Sequence, residues 1–147
     1  MVEVLLYVVQ SLQDAQNGLA HIGEHLQDET LRRYFLAESL KRANFRAELE
    51  NELHRVGLAD VRVAVSLGGT LHRIWGDIKA MAGADDQSLL RTAEHGEEIA
   101  RHAYEDALEE DLPSPVRHLL AEQQAHVNSS HDYVCQNLIS SGEVTEA

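Results

Sequence analysis

The chain has 147 residues, 44% of them hydrophobic and only two of them proline, and its 12 Lys and Arg against 25 Asp and Glu give a net charge of -13. That length suits one domain burying roughly 70% of its unfolded surface, and so acidic a surface repels phosphate, which argues against nucleic acid or anionic membranes as partners. The single Cys135 excludes an internal disulfide and fits a reducing compartment.

The apolar opening "VLLYVV" is too short to span a bilayer, contains Glu3 and lacks the basic start of a signal peptide, so a cytoplasmic protein is expected. Leu5, Val8, Leu12, Ala15, Leu19, Ile22 and Leu26 alternate three and four apart, the stripe of a first helix of about seven turns. Val4, Leu6 and Val9 flank it, and a helix apolar on more than one face predicts a second partner, most simply a homodimer. Asp28 can cap a second helix carrying Leu31, Phe35, Phe45, Leu49 and Val56, with Gly57 as its stop. Only a tight turn fits between these two helices, so they should pair antiparallel.

A connection of roughly thirty residues follows, longer than an ordinary helix–helix link, and within it 70–81 reads as a short helix presenting Trp75. A third helix runs from about Asp86 to Glu110. Pro113 breaks it, and Ser114 with Pro115 suits the start of a fourth, carrying Val116, Leu120, Val127, Val134 and Leu138. Two hairpins joined by one long crossover describe an all-α, ferritin-like four-helix bundle over residues 1–140, with 141–147 a frayed tail.

Polar residues interrupt these stripes at core spacing. Glu38 and Arg42 fall between Phe35 and Phe45 and can pair, being four apart. On the third helix Glu97 takes the inward position beside Gly96, a mid-helix glycine that lets a neighbour approach closely. On the fourth, the step Val127-His131-Val134 turns His131 inward, with Gln123 two turns earlier, and Asp14 stands at the margin of the first stripe. Buried carboxylates must be paired or bind metal. Glu38, Arg42, Glu97 and His131 can therefore satisfy one another, or Glu38, Glu97 and His131 with Asp14 can hold iron, manganese or zinc. Glu97 at the stripe's edge, reaching solvent, is the bland alternative.

Ser66-Leu67-Gly68-Gly69-Thr70-Leu71-His72-Arg73-Ile74-Trp75, Glu94-His95-Gly96-Glu97, Tyr104 to Leu108 with Leu112-Pro113, and Gln123 followed by His131-Asp132 resemble a bacterial family of ferritin-like four-helix-bundle proteins of unassigned function. Asp14 with Gly18, and Glu38 to Leu49, are similar to it as well. The resemblance spans nearly the whole chain and implies two hairpins and often a dimer, with no established reaction. Di-iron proteins of the wider superfamily use a Glu-x-x-His pair on each of two helices, and this sequence has no such pair.

Other patterns weigh less. His21-Ile22-Gly23-Glu24-His25 matches an inverted zinc-protease string, but no downstream glutamate motif completes it, and nine histidines produce pairs by chance. His72-Arg73 near Trp75 reads as a loop anchor, and Cys135 as an idle thiol. Two functions remain: a non-enzymatic structural or stress-related interaction protein whose polar cluster fixes helix register, or a metal-binding oxidoreductase or metal-handling protein.

Overall fold

The computed structural model describes residues 2–58, Trp75 and 83–146, with side chains described as far as Leu138. Its four helices are α1 (Val2–His25), α2 (Glu29–Arg55), α3 (Asp86–Leu108) and α4 (Ser114–Glu146). The stripe from Leu5 to Leu26 is buried along its whole length. Val9 is fully buried too, and Val4 and Leu6 pack partly against the same core, because α1 lies against both α2 and α3. The flanking residues that suggested a second copy of the chain are thus largely taken up by the protein's own core; Val2 and Tyr7 are left exposed on α1.

The helix ends follow local chemistry. The Asp28 carboxylate accepts from the Leu31 N–H at 2.9 Å and Asp85 accepts from the Ser88 N–H at 2.8 Å, each satisfying a donor that the first turn leaves open. At the end of α2, Gly57 takes φ +85°. Its N–H reaches the His54 carbonyl at 3.1 Å while Leu58 reaches back to Leu53 at 2.7 Å, a Schellman closure that a left-handed glycine permits. The third helix stops at Leu108, where the Arg117 guanidinium from the next helix donates to the Leu108 carbonyl at 2.8 Å and also to that of Glu110. The fourth continues helically to Glu146, through the stretch expected to fray: no proline follows Pro115, so only Gly142 weakens the run.

The helices pair as α1 with α2 and α3 with α4, and the hairpins meet through α1 against α3 and α2 against α4. Two apolar clusters fix the directions. One gathers Leu5 to Leu12, Leu49 and Leu53, Ala100 to Ala107, and Val116 to Val127. The other gathers Ala15 to Leu26, Leu31 and Phe35, Leu89 to Ala93, and Val134. The end of α2 and the start of α3 therefore lie at opposite ends of the bundle, and the two helices run parallel. Asp86 pins the arrangement, since its carboxylate accepts from the N–H groups of Gln27 and Asp28 in the α1–α2 turn at 2.8 and 3.0 Å. The described ends of the link thus stand a bundle's length apart, as in a four-helix bundle whose two hairpins are joined by a single crossover.

Within that link the structure describes Trp75, which is helical and 1% exposed. The rest of the short helix expected over 70–81, and His72 and Arg73, lie outside the described residues. The indole rests on two glycines of the facing helices. A Cβ added at Gly18 or at Gly96 would come within 3.0 Å of its ring, closer than real Cβ atoms stand. Gly96 is thus a notch for Trp75. Among the described residues no helix is long and apolar enough to cross a membrane.

Candidate functional site

Between the two apolar clusters lies a polar layer. Leu12 belongs to one cluster and Ala15 to the other, with buried Asp14 between them. On α2 the layer holds Glu38, Ser39 and Arg42, on α3 Glu97, and on α4 Ser130. Each takes a core position of a three-and-four stripe, so the same periodicity that builds the apolar clusters delivers polar groups to mid-bundle.

Arg42 is the centre, 0% exposed. Its Nε donates to Glu38 Oε2 at 2.9 Å, and its two terminal nitrogens donate in parallel to Glu97 Oε1 and Oε2, each at 2.7 Å. The fork-on-fork pairing joins α2 to α3 with the geometry that guanidinium and carboxylate share. The hydroxyl of Ser130 donates to Glu97 Oε2 at 2.5 Å, which brings α4 into the group. Burial pulls the Arg42 guanidinium down, but the charge and hydrogen bonds of Glu97, with Glu38 beyond, hold it above its usual range. Two carboxylates against one guanidinium leave a formal surplus of negative charge. His126, 31% exposed at its side chain, faces that surplus with Nε2 2.8 Å from Glu38 Oε2.

A smaller group flanks the layer. The Tyr104 hydroxyl donates to Gln123 Oε1 at 2.9 Å, and the Gln123 amide donates to the Phe45 carbonyl at 3.0 Å, linking α3, α4 and α2. Burial pushes the Tyr104 phenol well above its usual pKa; Arg42 opposes the shift and Glu97 adds to it. Ser39 ties α2 to α1 through the Gln16 carbonyl at 2.7 Å.

The structure brings Glu38, Arg42 and Glu97 together and leaves His131 out. His131 points along the α3–α4 seam, its Nε2 2.9 Å from Glu94 and 3.1 Å from Glu98. Ser130 and His126 take the places that the sequence reading gave to His131. The reason is geometric: Val127-Ser130-Val134 and Val127-His131-Val134 both satisfy three-and-four spacing, and the stripe follows the former. His25, of the His21–His25 string, spends Nδ1 on the His21 carbonyl at 2.7 Å, a contact within its own helix.

A family model described as a domain of unknown function, DUF2383, matches residues 1–110. The chain belongs to that family. No curated protein matches it. The DUF2383 match takes in α1, α2 and α3, and with them Glu38, Arg42, Glu97, Gly18, Gly96 and Trp75. Its end at residue 110 leaves α4, and so Ser130, His126, His131 and Cys135, beyond the matched stretch.

Proposed function

We propose that this chain is a non-catalytic, ferritin-like structural or interaction module, and that its mid-bundle polar layer fixes helix register. The observation that carries the reading is the position of Arg42. A fixed cation stands between Glu38 and Glu97, where a metal ion would otherwise share those carboxylates, and it would repel a second positive charge at close range. Both oxygens of Glu97 already accept from Arg42, and one accepts from Ser130 as well. Such a network contributes little net stability over an apolar core, because desolvation offsets the attraction. Its effect is selective: a helix slipped by one turn would strand a buried charge, so one register is favoured.

The rival, an oxidoreductase or metal-handling bundle using Glu38, Glu97 and His131 with Asp14, needs all four helices to aim donors at one point. The Arg42 pairing and the placement of His131 on the α3–α4 seam, against Glu94 and Glu98, weigh against it. Two measurements test the reading. In urea titrations Arg42→Met should destabilise the fold by roughly 3–5 kcal/mol, and the double variant Arg42→Met/Glu97→Gln should recover part of that. Mixed with ferrous iron in air, the native chain should oxidise it no faster than buffer does. Faster oxidation that Glu97→Gln abolishes would overturn the reading in favour of the rival.

A further inference from the structure

One group of ligating side chains lies apart from the polar layer. On the α3–α4 seam, Glu94 and Glu98 are four apart on one helix and His131 and Cys135 four apart on the other, so each helix turns a pair of donors toward the same line. Nε2 of His131 is 2.9 Å from Glu94 Oε2 and 3.1 Å from Glu98 Oε2, and Cys135 Sγ is 3.7 Å from the same nitrogen. Ligand atoms of Glu94, His131 and Cys135 all fall within 4.8 Å of one another. Ligands at zinc distances in a tetrahedron stand about 3.3–3.8 Å apart, so small side-chain adjustments close this set around an ion.

We propose that Glu94, Glu98, His131 and Cys135 form a binding site for a divalent transition-metal ion of the zinc class. The donor set selects the class: a thiolate and an imidazole disfavour magnesium and calcium, while thiolate, imidazole and carboxylate together suit zinc or cobalt. The arrangement is also more than a helix-face ion pair. A histidine nitrogen can donate to one acceptor well, yet two carboxylates converge on this one and a thiol lies against the same ring. A shared cation would satisfy all four.

The surroundings support a built site. Oε1 of Glu98 accepts from Arg101 at 3.1 Å and faces His102 at 3.0 Å, which leaves Oε2 turned toward His131. Such outer partners orient ligating carboxylates. The side chains of Glu94 and Glu98 are about one-third exposed and that of His131 13%, so an ion has a path in from solvent. Burial, with Glu94, Asp132 and Glu98 close by, holds the Cys135 thiol above its usual pKa. The metal-free protein therefore keeps the proton on sulfur, and binding releases it to solvent as the sulfur–metal bond forms.

The test uses the full chain, purified without a histidine tag and treated with chelator, then titrated with cobalt(II) and with zinc. Cobalt should bind at one ion per chain and develop the near-ultraviolet charge-transfer absorption of a cobalt–thiolate bond, and zinc should displace it. Cys135→Ser should lose that absorption, and His131→Ala should weaken zinc binding by more than about 100-fold, beyond the 10–100-fold that loss of an outer partner costs. Melting curves establish that both variants are folded. Binding without a thiolate band and unchanged in Cys135→Ser would overturn the proposal, as would binding lost in a His21→Gln/His25→Gln variant. The outcome is separable from the iron-oxidation test, since none of these four residues belongs to the Arg42 network.

Discussion

At the scale of single residues, the polar layer is held by partners rather than by burial, and Tyr104 offers a way to read that from outside. Its phenol is buried and its pKa lies above the ordinary 10.0, so the folded chain keeps a proton that the unfolded chain gives up. Above pH 10 the unfolded state then binds fewer protons, and stability falls as pH rises. That stability should be fully present below pH 10. Tyr104→Phe has no such proton, so its loss of stability above pH 10 should be shallower, though not absent, because the Tyr34 phenol is also raised, chiefly by burial. At neutral pH the same variant should be less stable by about 1–3 kcal/mol, since Gln123 loses its donor. Parallel alkaline slopes for the two proteins would show that Tyr104 ionises freely and is not sealed in the core. The identities of Glu38, Arg42 and Glu97 were legible in the sequence because a charged residue at a core position of a regular stripe has nowhere else to go. Ser130 was not, because a serine beside a histidine attracts no notice, and the two positions differ by only about 100° of helix rotation.

At the scale of elements, caps and stripes were legible to within a residue or two, because Asp28, Gly57 and the Ser114–Pro115 pair each act through the local backbone alone. The sequence showed that Gly96 admits a close neighbour, at a cost near 1 kcal/mol against alanine in helix propensity, but not which neighbour. The answer depends on Gly18 and Trp75, which are distant in sequence and meet only when the Trp75 ring lies against both α1 and α3. The same contact explains how a long link is anchored: one large aromatic side chain fills a notch that two helices share. Gly96→Ala should therefore lower stability by about 1–3 kcal/mol despite its gain in helix propensity, since the methyl meets a rigid ring rather than a flexible chain end. In the Trp75→Leu background the same alanine should cost much less, or even stabilise, because the ring is gone. Equal penalties in the two backgrounds would mean that the glycine serves something other than the indole. The emission maximum of Trp75, the only tryptophan, should shift to the red in Gly96→Ala if the ring is displaced into water.

At the scale of the whole molecule, the net charge of -13 and the buried network should respond differently to salt. Unbalanced surface carboxylates repel one another across the bundle, and that repulsion is long-ranged at low ionic strength, where the screening length is about 30 Å at 0.01 M. At 0.15 M it shrinks to about 8 Å, shorter than most separations across the surface. The native chain should therefore melt at a higher temperature in 0.15 M than in 0.01 M sodium chloride. The Arg42–Glu97 pair, in contrast, has side chains 0% exposed on both partners and a contact of 2.7 Å, with no room for counterions between them. The destabilisation caused by Arg42→Met, measured at both salt concentrations, should thus agree to within about 0.5 kcal/mol, the scatter expected for independent effects. The pairing of these two results matters more than either alone. A salt-stabilised fold with a salt-independent Arg42 penalty describes a dry polar layer inside a self-repelling acidic surface. An Arg42 penalty that shrinks strongly with added salt would mean that ions reach the layer, and a layer open to ions could not hold register by stranding charge.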